Sequence, residues 1–378
     1  MKPKFNLLVC ATIVATHWGV TANAQVGSEG SAVSGAVYTM TNDASENSIL
    51  VYSRNSNGLL TFRGPVSTHG RGSGGILDPL QSQGSLVLSQ DRSFLFAANP
   101  GSGTITTFRV VPSGLAFVGE ADSGGAEPIS IAMHGDLLYV LNTASITGFR
   151  ILGDGRLSAI ASSTRFLARV GGRDLGASDI AFNPNGSFIA VTERVANQIV
   201  VFPLQADGTT GTPVANNSNG NTPFSEAFTP TGVLVVAEAA GGGPGGGSAA
   251  SSYAIANGGT LQVISGSVPS QGAGACWNIL TRDGTFGVLT NAGSSNETLF
   301  LVSNTGQLSF HSITSAGPNT APLDTALTAD GLFLYTLDGG AGSISEFRFD
   351  ESSETLTLLG RISDGLTANS GLQGLAAH

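Results

Sequence analysis

The stretch ADGLFLYTLDGGAGSISEFRF, residues 329–349, decides the fold. It reads as an Asp-Gly turn, an apolar strand closing on Asp338, a polar turn, and a second strand ending in Phe-Arg-Phe. Its second half returns as SGTITTFRV at 102–110 and ASITGFRI at 144–151. Its first half returns in SQDRSFLFAAN (89–99), MHGDLLYVLN (133–142), NPNGSFIAVTE (183–193), TPTGVLVVAE (229–238) and TRDGTFGVLTN (281–291). GAVYTMTN, at 35–42, has the strand and its Asn but no turn before it. Short apolar or alternating runs punctuated by Asp-Gly and Asn-Gly are the signature of hairpin-connected strands.

Each copy is followed by a strand with an aromatic near its end: Tyr52, Phe108, Phe149, Phe202, Tyr253 and Phe347. The sixth copy reads as having lost the aromatic, with Leu301 near its place. A polar turn and a fourth strand come next, as in SGLAFV, DGRLSAI and GGTLQVI. Seven units of about 50 residues and four strands each predict an all-β fold, a seven-bladed β-propeller. The first unit lacks an inner strand. SGLQGLAAH (370–378) resembles the inner strands EPISIAM and PLDTALT, so it is expected to join blade 1 and close the ring. Closure removes an open sheet edge. A tandem β-sandwich explains neither the seven copies nor the orphan strand.

Residues 1–24 carry two lysines, an apolar stretch from Leu7 to Ala15 and the triplet Ala22-Asn23-Ala24. A basic start, an apolar middle and an A-x-A end predict a signal peptide cut after Ala24, hence export to the periplasm or beyond. Lipid attachment at Cys10 is disfavoured by Val9, where a small residue is wanted. Residues 25–34 read as a short leader and 35–378 as one propeller domain, taken to be a monomer. Apolar runs fall short of the roughly 18 residues that cross a bilayer as a helix.

Cleavage would leave 14 Arg, no Lys and 26 acids, a net charge of −12. Such a surface disfavours nucleic acid and anionic membrane. Absence of Lys excludes Schiff-base chemistry and a lysine-dependent phosphate loop. Cys276 would stand alone, so no internal disulfide is expected.

In a propeller, inner-strand entries and second-strand exits ring the channel mouth on one face. The exits are Asn42, Asn99, Asn142, Glu193, Glu238, Asn291 and Asp338. Asn and Asp also suit a following turn by bonding their own backbone, whereas Glu is a poor turn residue. The entries hold Gln83, Glu127, Asp179, Glu226, Cys276-Trp277 and Asp324. Burial against a neighbouring blade is the plainer reading of Cys276 and Trp277. Three insertions share this face: 64–84 with His69 and Arg71, 162–178 with Arg165, Arg169 and Arg173, and the Gly-rich loop 239–251. Long loops on one face of a rigid scaffold usually carry function. These cations above an acidic ring could hold a carboxylate and polarise a carbonyl. No G-x-S-x-G elbow is present, and structural zinc lacks its Cys pairs and H-x-x-x-H.

The Asp-Gly turns and TISGFRV-like strands, with AVYTMTN, PFSEAFTPTG, GACWNILTRDG and LYTLDGGAGSISEFR, resemble the lactonase-type seven-bladed propeller family. That family includes 6-phosphogluconolactonases and carboxymuconate lactonising enzymes, and secreted bacterial members are the most similar. The resemblance spans about residues 35–378. It implies a His, Arg and Glu cluster, with Glu193 at the place of the Glu and Arg173 near that of the Arg. The His has no counterpart: GASDIAF (176–182) and TPFSEAF (222–228) stand where the family carries His-containing phrases.

Three functions follow. The first is an exported lactone hydrolase or lactonising enzyme for a small carboxylated substrate. Glu193 or Glu238 would be the general base and Arg173 the oxyanion partner. His69, Arg71, Arg165, Arg169, Glu226, Trp277 and Asp338 would bind substrate, with no cofactor. The second is a non-catalytic binding propeller for a glycan or protein. The third is a calcium-dependent lactonase, its acidic and amide oxygens being hard ligands.

Overall fold

The computed structural model describes residues 33–170, 173–243 and 247–378; the signal-peptide and leader readings lie outside these, save Val33 and Ser34. The described chain is all β. Seven sheets each hold a four-stranded antiparallel path, and they stand around a central channel as the blades of a propeller. The inner strands, in ring order, are Gln373–Ala377, Leu86–Leu88, Pro128–His134, Ala177–Phe182, Asn221–Phe228, Ala275–Leu280 and Pro322–Leu327. They belong to blades 1 to 7 respectively. Each pairs with a second strand that returns to the channel mouth: Val33–Met40, Phe94–Asn99, Leu137–Asn142, Phe188–Glu193, Leu234–Gly243, Phe286–Asn291 and Phe333–Asp338. Blade 1 takes its inner strand from the far end of the chain, Tyr38 pairing with Ala376 and Val37 with Ala377.

Alternation along the strands sends apolar side chains to both faces of each blade, so the core lies in the seams. There are seven seams, each with its own buried cluster. Tyr38, Met40, Leu95 and Phe108 fill the one between blades 1 and 2. Tyr335, Leu337, Leu50 and Tyr52 fill the closing seam between blades 7 and 1.

The Gly of the turn between third and fourth strands is set by its neighbour. Gly58 and Gly155 have φ of 86° and 93°. A Cβ on either would lie 2.2 Å from the ring of Phe333 or Phe94 in the preceding blade. Tyr335 then donates its hydroxyl to the Gly58 carbonyl at 2.7 Å, and Tyr139 does the same to Gly208. The repeated turn is thus a socket for the aromatic of the next-door blade.

Two sequence expectations need correction. The sixth unit keeps its aromatic: Phe300, not Leu301, occupies the position of Phe347, pairing with Gly287 as Phe347 pairs with Leu334. The Gly-rich stretch is no open loop. It prolongs two strands of blade 5, Leu234–Gly243 and Gly247–Ile255, into a hairpin with Gly243 opposite Gly247. Its tip, 244–246, lies outside the described residues. Among the described residues no helix is long and apolar enough to cross a membrane.

Candidate functional site

The second-strand exits form a ring, and all seven side chains are buried. Most are occupied. The Asn99 amide donates to Thr104 and Thr106, and that of Asn291 to Asn296 and Thr298. Asn142 accepts from the Ser123 hydroxyl. Asp338 accepts from Ser343 and Ser345 at 2.8 and 2.7 Å, with the Arg361 guanidinium 3.9 Å away. Glu238 accepts from the Gly220 N–H, Ser251 and Ser267. These side chains tie the second strand to neighbouring strands and turns.

Glu193 differs. Among the described residues neither of its carboxyl oxygens has a hydrogen-bond partner. It borders a cavity of about 100 Å³ at the seam of blades 3 and 4, walled by Leu167, Val200, Phe202 and Pro213. Burial pushes its carboxyl up to about 7.

The channel mouth is crossed by residues 77–83, the end of the first insertion. Leu77 reaches Gly339 in blade 7, where an added Cβ would lie 2.8 Å from its side chain. Leu80 joins the core between blades 3 and 4. Ser82 donates to the Ile129 carbonyl in blade 3 and accepts from the Trp277 indole in blade 6. Gln83 bonds both the carbonyl and the N–H of Asn278, at 2.8 and 3.0 Å. Trp277 is thereby buried, tilted against Phe224 with centroids 5.2 Å apart.

Beneath this plug lie buried carboxyls. Asp179 accepts from Ser130 and from the N–H of Glu226, clamping blades 4 and 5; Asp324 accepts from the N–H of Gly374, clamping blades 7 and 1. Burial raises both to about 7. Burial, with the Asp179 charge, holds Glu226 well above the usual carboxylate range.

Asp78 and Arg194 lie near enough at the rim for their charges to interact, without forming an ion pair among the described residues. Asp78 sits on the plug at a φ of 44° and accepts from Gln373 at 3.2 Å. Burial raises its carboxyl to about 8, the Gln373 bond opposing and the Asp324 charge assisting. Arg194 follows Glu193 in the chain, and its Nε is buried without a hydrogen-bond partner among the described residues. Burial lowers its affinity for the proton, while the charges of Asp78 and Cys276 counter that. The Cys276 thiol is pushed up by burial, which keeps it a poor nucleophile.

The cations expected over the ring do not converge. His69 is exposed and meets Phe117 edge-on, centroids 4.5 Å apart. Arg71 is exposed and donates to the Gly101 carbonyl. Arg165 donates to the carbonyls of Ser162, Thr164 and Thr210. Arg169 pairs with Asp174 at 2.9 Å within an exposed hairpin, Arg169–Val170 against Arg173–Asp174. The side chain of Arg173 lies outside the described residues. Glu226, Trp277 and Asp338 are built into the channel wall and blade 7 rather than onto an open surface. Among the described residues, no three His, Cys, Asp or Glu side chains are grouped to hold a metal ion.

Asp78 and Arg194 were missed by reasoning on strand ends. Their one signal is position: Arg194 directly follows an exit, and Asp78 precedes Pro79 in the longest insertion.

The chain belongs to the lactonase, 7-bladed β-propeller family, whose model matches residues 35–163 and 143–241. Its fold is that of several solved structures. The periplasmic gluconolactonase of Pseudomonas aeruginosa is 20% identical, with a TM-score of 0.68 over 90% of this chain and 99% of the other. A putative 6-phosphogluconolactonase of Bacteroides fragilis is 18% identical, with a TM-score of 0.69 over 91% and 98%. A Lactobacillus plantarum protein is 17% identical, with a TM-score of 0.71 over 91% and 99%. No curated protein sequence matches the chain.

Proposed function

We propose that the protein is an exported hydrolase of a small carboxylated lactone, working at the channel rim. The observation that carries this is the buried Arg194 Nε, without a partner among the described residues, within charge range of Asp78, whose carboxyl burial raises to about 8. A group titrating near the working pH is suited to both halves of a general acid–base cycle. Ionised Asp78 takes the proton from a water that attacks the lactone carbonyl. Arg194 stabilises the resulting oxyanion or holds the substrate carboxylate. The ring C–O bond then breaks, the departing oxygen takes the proton back from Asp78, and a hydroxy acid leaves. Export rests on residues 1–24.

The test is hydrolysis of a panel of sugar, aliphatic and carboxylated lactones by residues 25–378. Asp78→Asn should cost about 10²–10⁴-fold in kcat. Arg194→Gln should cost about 10²-fold or more. Retained activity in both variants would overturn this site, and a chelator arm separates it from a calcium-dependent reaction. A second reading, a non-catalytic binding propeller for a glycan or protein, is favoured by the packing of residues 77–83 across the mouth. It becomes the better account if the folded protein hydrolyses nothing in the panel.

A further inference from the structure

A basic groove of this acidic protein lies on the face away from the channel mouth. It measures about 830 Å³ and opens between blades 1 and 2. Arg63, Arg92 and His378 line it, with no Asp or Glu side chain among the described residues. Arg63 is steadied by donating to Ser53 at 2.7 Å. Arg92 sits in the turn before the second strand of blade 2, with a φ of 59°. Its guanidinium makes no ion pair among the described residues, and the acid beside it, Asp91, is taken up by the hydroxyls of Ser89 and Ser93. His378 is held below its ordinary value by burial first and then by the charges of Arg92 and Arg54.

The rest of the groove is apolar. Val110, Val111 and Pro112 form one wall, and Tyr38 lies in the floor with its ring buried. The Tyr38 hydroxyl has no hydrogen-bond partner among the described residues. Volume, apolar walls and a few convergent polar groups are the attributes of a small-molecule site. Guanidinium groups at its edge, free of ion pairs among the described residues, fix the sign of the ligand.

We propose that this groove binds a small organic carboxylate with an apolar or aromatic body, at a site separate from the channel rim. The carboxylate would bridge Arg92 and Arg63, and the body would lie over Tyr38 and Val110. The inference does not depend on the lactonase reading.

Calorimetry with 4-phenylbutyrate, its neutral amide and phenyl phosphate tests it. The carboxylate should bind, and the amide about tenfold or more weaker, as expected on losing a charge-assisted hydrogen bond. Arg92→Gln should weaken the carboxylate by about tenfold. An unchanged thermal midpoint would show that the variant is folded. Arg282→Gln, in a turn on the same face, should change nothing. Equal binding of acid and amide, insensitivity to Arg92→Gln, or no binding of the acid overturns the proposal. Binding of phenyl phosphate alone also overturns it, in favour of a phosphate site.

Discussion

Glu193 and Glu238 stand at matching positions of the second strand in neighbouring blades, are both buried, and live in opposite conditions. Glu238 has three donors. Glu193 has none among the described residues. The difference lies one strand away. Val236, two residues before Glu238, pairs with Ser251; Val191, two residues before Glu193, pairs with Val200. Blades 2, 3, 6 and 7 carry Thr106, Thr147, Thr298 and Ser345 at that third-strand position. On the fourth strand Ser267 supplies a second hydroxyl to Glu238, where Ala215 stands beside Val200. Whether a buried carboxyl is a strut or an unspent group is thus decided by its neighbours' hydroxyls, not by its own identity.

Removing the strut should have the largest effect. Glu238→Ala strands the Gly220 N–H and two serine hydroxyls and should destabilise the fold by about 3 kcal/mol, read by urea unfolding. A loss under about 0.5 kcal/mol would show the clasp to be solvated rather than structural.

Glu193 should do the reverse. As pH rises, the unfolded carboxyl loses its proton near the ordinary 4.5, while the folded one keeps it to about 7. Over that window the unfolded state binds fewer protons, so stability falls as pH climbs. Glu193→Gln should therefore match the parent near pH 4.5 and exceed it at pH 8 by about 2–3 kcal/mol. Unfolding at both pH values gives the difference directly, and parallel curves would show that Glu193 titrates normally.

Restoring the absent hydroxyl should have the smallest effect. Val200→Ser offers Glu193 what Ser251 gives Glu238. It should shrink that pH-dependent difference by about 1 kcal/mol, measured the same way.

The fold was legible because it is written seven times. Any one unit is ambiguous, but repetition and the orphan strand Val33–Met40 leave a single closed arrangement. The site was less legible. Reading the exits as a ring put Glu193, Glu238 and Asp338 on the correct face, but could not say which way each side chain turns. The alternation that buries them depends on the bulges between first and second strands, as at Ala177/Asp179 and Pro223/Glu226. Arg71, Arg165 and Arg169 looked free because the carbonyls and the carboxylate that bind them come from turns and hairpins with no sequence signal. Asp78 owes its raised pKa to burial against distant blades, which no local pattern records. The spacing of hydroxyls along the third strand, by contrast, is visible in TIT, SIT, SIS and the exception QIV.

The inner strand of blade 1 has a consequence for the order of assembly. Val37 finds its partner 340 residues later, at Ala377. During synthesis, blades 2 to 7 can each form from contiguous chain as it emerges, whereas blade 1 waits as a three-stranded sheet with one bare edge until residues 373–377 have been made. That edge is the place where a stalled or truncated chain would recruit a strand from another molecule.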